Sequence, residues 1–177
     1  MQSYPQIMKA KKFKIIIALL YITTYSFAQT DWDSWNINYK EKSISLLMSD
    51  EKIYADSVEN GLIFGEYYVR MDNYRFPAQY TGEKRKISDD ILLSMKRVYK
   101  TLGNPDYLSI MDNIKNEYKF VIDGKEYWLP IQPILEKPLK KEMNINEMIY
   151  LYCLYLNEHT KKGELYNTLL ISEFKKE

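Results

Sequence analysis

Apolar and polar positions repeat with the period of an α-helix over one segment of the chain. In residues 89–102 apolar side chains recur three, four and seven positions apart. Ser88 stands where an N-cap residue belongs, and Gly103 follows the last turn. The pattern predicts an amphipathic helix over 89–102. Its apolar positions are Ile91, Leu92, Met95, Val98, Tyr99 and Leu102.

The segment 117–129 predicts a β-hairpin. Asp123-Gly124 is typical of a two-residue turn in which both residues have positive φ. Such a turn pairs Ile122 with Lys125 and places apolar side chains on one face. These are Tyr118, Phe120, Ile122, Tyr127 and Leu129. Trp128 belongs to the opposite, more polar face, so we expect it to be partly exposed.

A second hairpin is predicted from residues 148–156 and 165–174. The first segment is apolar on both alternating faces, a pattern that favours a central strand covered on both sides. A buried helix over 147–156 is the alternative. Cys153 lies in this segment, and we expect it to be a buried, unreactive thiol.

The remaining segments carry weaker signals, chiefly single breaker or cap residues. We predict a short helix over 50–60 with Ser49 as N-cap and Gly61 after its end, a strand over 62–71, and a short helix over 105–113. We predict irregular or extended chain over 31–48, a loop over 74–86 broken by Pro77 and Gly82, and a loop over 130–143 broken by Pro130, Pro133 and Pro138.

Together these elements predict an α+β fold. Short N-terminal helices and the amphipathic helix over about 89–102 pack on a C-terminal antiparallel sheet. Four or five strands of this length either stay open or curl into a small SH3-like or OB-like barrel. The oligomeric state is left open.

The amino terminus is typical of a bacterial export signal. Basic residues between Lys9 and Lys14 precede the apolar run 15–27, and small residues end at Ala28. We predict a signal peptide over 1–28, cleavage between Ala28 and Gln29, and a single globular domain over 29–177. The start is Met1 or Met8, and the exported product is periplasmic or secreted. An uncleaved anchor or a core helix is the alternative, but the run is shorter than the roughly 20 residues that span a bilayer.

Composition excludes several classes of protein. The chain is 46% hydrophobic and 28% charged, as expected for a folded globular protein rather than a disordered one. Without the lysines of the signal, the body of the chain is slightly acidic, which does not favour a nucleic acid partner. We expect no membrane span to remain after cleavage.

Catalytic and metal-binding chemistry is sparse. The sequence has one cysteine, Cys153, and one histidine, His159, which we place in a turn. They cannot form a multi-residue zinc site, and an extended strand would hold them apart. We assign no catalytic residue, metal or cofactor. Any of the many acidic residues could form a carboxylate pair, so a small carboxylate-dependent periplasmic hydrolase is the alternative function.

The excess of aromatic residues favours a binding role. Tyr, Trp and Arg are enriched at binding hot spots. We select Trp32, Trp35, Tyr74, Arg75 and Trp128 as candidate partner-binding residues. Tyr74 and Arg75 belong to a larger group, which places Tyr67, Tyr68, Tyr74 and Phe76 around Arg70 and Arg75. Filling the core is the alternative role for these side chains. We therefore expect an exported bacterial envelope protein that acts as a non-enzymatic binding module for a protein or glycan partner, a class that includes inhibitor and immunity-type proteins.

Overall fold

The computed structural model describes residues 31–63, 68–104 and 108–177. The chain divides into two compact units, Met1–Trp32 and Asp33–Glu177. Asp31 and Trp32 are the only described residues of the first unit. The predicted signal peptide and its cleavage site at Ala28 and Gln29 lie outside the described residues.

The described residues form five helices and six strands. The helices are α1 (Trp32–Asn38), α2 (Ile44–Glu59), α3 (Asp89–Leu102), α4 (Leu108–Asp112) and α5 (Pro133–Glu142). The strands are β1 (Lys40–Glu41), β2 (Tyr68–Lys86), β3 (Asn116–Ile122), β4 (Lys125–Pro130), β5 (Met148–His159) and β6 (Leu165–Lys176). Helices packed on one sheet confirm the α+β class.

The strands form one sheet in the order β4–β3–β2–β5–β6, and β1 pairs with β2 in parallel. The other pairings are antiparallel. β2 organises the sheet, because residues 68–79 pair with β5 and residues 79–86 pair with β3. The sequence had predicted a C-terminal sheet. The observed sheet also includes β1 and β2, which precede α3.

The sheet does not close into the SH3-like or OB-like barrel that we considered. β4 and β6 are its two edges, and one isolated bridge, between Ile131 and Ile171, joins them. Pro130 and Pro133 have no backbone N–H to donate, and α5 begins at Pro133. The chain thus leaves the sheet after a single bridging residue.

Two hydrophobic cores lie on opposite faces of the sheet because successive strand residues alternate between faces. The first core contains Phe76, Phe120 and Leu151 and is covered by α2 and α5 through Leu47 and Leu139. The second core lies under α3 and α4. It contains Met95, Val98, Met111, Leu156 and Leu170.

The predicted helix over 50–60 begins earlier than expected. α2 starts at Ile44, and the N-cap is Ser43 rather than Ser49, since the Ser43 hydroxyl accepts a hydrogen bond from the Leu46 N–H. α1 and β1 also replace the irregular chain predicted over 31–48. The buried face of α2 includes a charged residue, Glu51, which interrupts the apolar repeat.

The predicted loop over 74–86 is wrong, because β2 runs through it. On one side of β2, β1 pairs as far as Arg75 and β3 pairs only from Gln79. Pro77 lies between these two pairings, where no neighbouring strand needs a backbone N–H from β2 on that side. Gly82 lies at a shift in register and has a φ of +80°. A Cβ atom there would lie 2.9 Å from the Ile145 side chain, so the strand requires glycine at this bend.

The predicted loop over 130–143 is also wrong, because it contains α5. Pro133 occupies the first turn, where an N–H is not needed, and Pro138 lies inside the helix. Pro138 removes one hydrogen bond to the carbonyl of Ile134, a residue that is 78% exposed, so water can replace that bond. Burial of Leu135 and Leu139 holds the helix on the first core.

The strongest sequence signals are confirmed. α3 has the predicted bounds, and the Ser88 hydroxyl accepts from the Ile91 N–H. The hairpin of β3 and β4 has the predicted register, with φ of 52° at Asp123 and 75° at Gly124. Residues 148–156 form a central strand rather than a helix, although β5 and β6 are longer than predicted. The predicted helix over 105–113 is seen as α4, and residues 105–107 lie outside the described residues.

Candidate functional site

A pocket of about 400 Å³ lies between α2 and the beginning of β2. The helix contributes three side chains because positions three and four apart share one face. The strand contributes the others. The lining residues are Asp50, Glu51, Tyr54, Tyr68, Val69 and Arg70.

An ion pair between buried Glu51 and exposed Arg70 forms part of this pocket. Glu51 is 5% exposed, and its Oε1 accepts a hydrogen bond of 2.6 Å from Nη1 of Arg70. Arg70 also donates from Nε to Asp72 at 2.6 Å and from Nη2 to the Tyr74 hydroxyl at 3.0 Å. The Tyr74 hydroxyl in turn donates to Asp72. The guanidinium is therefore held in place by two carboxylates and a phenol, a geometry that fixes the shape of the pocket.

Tyr68 joins the pocket to the interior. Its hydroxyl donates to Oε2 of Glu51 at 3.4 Å, and its ring makes edge contacts with Tyr54 and His159 at centroid distances of 4.9 and 5.3 Å. Burial, together with the nearby Glu51 carboxylate, raises the pKa of Tyr68. Its hydroxyl is therefore protonated and acts as a donor at neutral pH.

His159 lies behind Tyr68, not in the turn that the sequence predicted. It is the last residue of β5 and is fully buried. Its Nε2 lies 2.8 Å from Oε1 of Glu59, the last residue of α2, but the geometry does not meet that of a hydrogen bond. Cys153 and His159 are six residues apart on one strand, so they do not form the nucleophile and base of a catalytic pair.

Further buried polar groups continue from His159 along β5. Tyr155 and Asn157 each donate to Oδ1 of Asn167 on β6 at 2.6 Å. Asn157 and His159 are both fully buried. We call the buried residues Glu51, Tyr155, Asn157 and His159, together with half-buried Tyr68, the buried polar cluster. It forms the support on which the pocket between α2 and β2 rests.

A second pocket, of about 380 Å³, lies at the turn between β5 and β6. It contains a bidentate ion pair, in which Arg97 of α3 donates from Nε and Nη2 to the two carboxylate oxygens of Glu158. Glu158 is 1% exposed, so this pair anchors α3 to the sheet. The other lining residues are Thr160, Lys161, Lys162 and Glu164.

The candidate residues Trp35 and Arg75 meet around Tyr152. Trp35 of α1 stacks on Tyr39 at 4.9 Å and contacts the ring of Tyr152 edge-on at 5.6 Å. Arg75 is paired with Tyr152 in the sheet register and makes an ion pair of 3.0 Å with Glu41. Trp32 begins α1 and is half-buried.

The other two candidates lie elsewhere. Tyr74 is buried and reaches the pocket between α2 and β2 through its hydrogen bonds with Arg70 and Asp72. Trp128 is half-buried on β4, with the guanidinium of Arg85 4.3 Å from its ring. The four candidates of the unit Asp33–Glu177 therefore do not form one continuous surface.

The sequence grouped Tyr68 and Arg70 correctly but missed Asp50, Glu51 and Tyr54. A signal existed, because Glu51 occupies the position that continues the buried face of α2 between Leu47 and Ala55. A charged residue at a position that should be buried indicates a charged or hydrogen-bonding partner.

Comparisons with known proteins do not assign this site. The sequence matches no protein family model, and no curated protein is detectably similar to it. Among the described residues, no group of three or more potential ligand side chains could hold a metal ion. No helix in the described part of the chain is long and apolar enough to cross a membrane.

Proposed function

We propose that the protein is an exported, non-enzymatic binding module of the bacterial envelope that receives part of a protein or glycan partner in the pocket between α2 and β2. The observation that carries this proposal is the pocket itself. It is concave, it is lined by two tyrosines and an arginine, and it rests on a rigid hydrogen-bonded support. The export part of the proposal rests on the pattern of residues 9–29.

The rim of this pocket supports a macromolecular partner. Tyr54, which lines the pocket, is 44% exposed, and two apolar residues outside the lining, Ile53 beside it in α2 and Leu62 shortly after α2, are 61% and 76% exposed. Apolar and aromatic side chains exposed around a polar pocket are typical of interaction sites. An inhibitor or immunity-type protein would use such a surface.

The alternative hydrolase is less well supported. It would need two carboxyl groups facing one cleft, one of them with a raised pKa. Burial raises the pKa values of Glu117 and Glu173, but these residues lie on β3 and β6 and neither lines the two pockets described above.

Photo-cross-linking of the full chain in its own cells tests the proposed function. A photoreactive amino acid placed at Tyr54 is expected to give one discrete adduct. Leu93 on α3 is 52% exposed and serves as the matched control position, where that adduct should be absent. Equal adducts from both positions, or none from Tyr54, would contradict the proposal.

A further inference from the structure

The described residues that line the pocket between α2 and β2 carry more negative than positive charge. The single guanidinium of Arg70 is shared between Glu51 and Asp72. Asp50 is exposed at the rim and forms no ion pair with another described residue. The described lining thus holds the carboxylates of Asp50 and Glu51 against one guanidinium, which Asp72 also binds, and the remaining negative charge attracts a cation.

The walls of the pocket suit the apolar stem of such a cation. Tyr54, Tyr68 and Val69 line it, and the two rings meet edge to face. Aromatic faces attract ammonium groups, and apolar walls favour a hydrocarbon chain. The carboxylates lie at two depths, because Asp50 is exposed whereas Glu51 is 5% exposed.

We infer that this pocket binds the side chain of a lysine that belongs to a protein partner, an inference that rests on the function proposed above. The slender stem of lysine lets its ammonium group pass the tyrosines and reach Glu51, while Asp50 stabilises the charge at the rim. The ammonium group has three donors, and the carboxylate of Glu51 retains acceptor capacity beyond its bonds to Arg70 and Tyr68.

An amino sugar is the competing source of an ammonium group. Its nitrogen is attached directly to the ring, so the whole ring would have to enter for the charge to approach Glu51. The difference in depth between Asp50 and Glu51 therefore favours lysine over an amino sugar.

Titration of the full chain with short peptides tests the lysine assignment. The probe is acetyl-Gly-Lys-Gly-amide, and the matched control peptide carries Nε-acetyl-lysine, which lacks the charge. Nuclear magnetic resonance detects weak binding through shifts of the backbone signals of residues 50–54 and 68–70. We expect the lysine peptide to shift these signals and to bind roughly five-fold or more tightly than its acetylated form.

Two variants separate the pocket from general charge effects. Asp50→Asn removes an exposed carboxylate that supports no described contact, and we expect the lysine peptide to bind it roughly two- to five-fold more weakly. Glu142→Gln removes an exposed carboxylate from α5, which does not line the pocket, and should leave binding unchanged. Thermal melts of both variants confirm that the fold is retained.

Three outcomes would overturn the inference. Equal binding of the lysine and acetyl-lysine peptides would remove the role of the charge. Unchanged binding of the lysine peptide by Asp50→Asn would show that the peptide binds at another site. Tighter binding of glucosamine than of the lysine peptide, in a parallel titration, would assign the pocket to a glycan. In each case a discrete adduct from the cross-linker at Tyr54 would still support the binding function, so the two proposals fail separately.

Discussion

Cys153 shows how completely a side chain of β5 is enclosed. The thiol is fully buried in the first core, where it neighbours Tyr74 of β2 and Ile171 of β6 in the sheet register. Burial raises the pKa of the Cys153 thiol well above its ordinary value. Both access and the thiolate form, which is the reactive one, are therefore suppressed.

We predict that Cys153 does not react with a thiol reagent in the native protein and that one thiol per chain reacts after denaturation. A spectrophotometric thiol assay with and without denaturant measures this. Rapid labelling of the native chain would show that β5 opens locally, contrary to its central position in the sheet.

Glu117 is also buried, but unlike the Cys153 thiol it is a carboxylate that is ordinarily charged, so its burial costs stability. It is 1% exposed, its Oε2 accepts from Nε of Arg85 at 2.7 Å, and its Oε1 is buried without a hydrogen-bond partner. Burial raises the pKa of Glu117, while Arg85 acts in the opposite direction. The native state therefore binds this proton more tightly than the unfolded state.

This proton makes stability depend on pH with a definite sign. Below the ordinary glutamate pKa of 4.5, Glu117 is protonated in both states. As the pH rises past that value the unfolded state ionises first, so the free energy of unfolding falls until the pH exceeds the raised native pKa. We expect Glu117→Gln to lack this decrease. Denaturant melts of both proteins from acid to neutral pH measure it, and a constant difference between them would exclude the effect.

At the scale of elements, the turn of the β3–β4 hairpin also caps α2. Oδ2 of Asp123 accepts a hydrogen bond of 3.1 Å from the Ser43 hydroxyl and one of 3.2 Å from the Ser45 N–H. The hydrogen bond from the Ser45 N–H is the main reason why the pKa of Asp123 is lowered. The hairpin and the helix that carries the candidate pocket are thereby fixed to each other.

We predict that Asp123→Gly destabilises the domain by about 1 kcal/mol, the usual loss when a helix cap is removed. Glycine suits the positive φ at this position, so the turn keeps its geometry. The loss therefore combines the missing cap with the greater freedom of glycine in the unfolded chain, and Asp123→Asn isolates the cap. Because the pKa is lowered, the stabilisation is present above the ordinary aspartate pKa of 3.8 and is lost as the pH falls. Urea melts measure it. Asp123→Asn keeps an acceptor and is the control, and an equal loss in both variants would contradict the capping role.

The elements that the sequence predicted well are those with a complete local signal. α3 has a cap, an apolar repeat and a terminal glycine, and the hairpin has Asp123-Gly124. The predicted strand over 62–71 contains only the first residues of β2, and its residues 64–67 lie outside the described part of the chain. The rest of β2 was missed because Pro77 and Gly82 normally end strands. The strand tolerates Pro77 and Gly82 because of where its pairing with β1 ends and its pairing with β3 begins. No local sequence pattern contains that information.

The candidate site was harder to predict for the same reason. The ion pair between Glu51 and Arg70 joins a helix to a strand, and His159 meets Glu59 across the chain. The position of Glu51 on the buried face of α2 indicates that it has a partner, but no local pattern indicates which residue that partner is. Only the packing of α2 against β2 and β5 shows that they share one site.

At the scale of the whole molecule, export remains a prediction from residues 9–29. We expect the exported protein to begin at Gln29, because the basic, apolar and small residues occur in the order that signal cleavage requires. Intact-mass measurement of the exported chain decides this. A product that retains residues 15–27 would make the segment an anchor.

β2 pairs with β3 on one side and with β5 on the other, and these two strands are synthesised at different times. A chain completed as far as Pro130 contains β2, β3 and β4, but Tyr74 and Phe76 still lack β5, which pairs with them at Cys153 and Leu151. Contacts so distant in sequence form slowly. The first core therefore stays incomplete until β5 has been made, a delay that would suit the export predicted from residues 9–29.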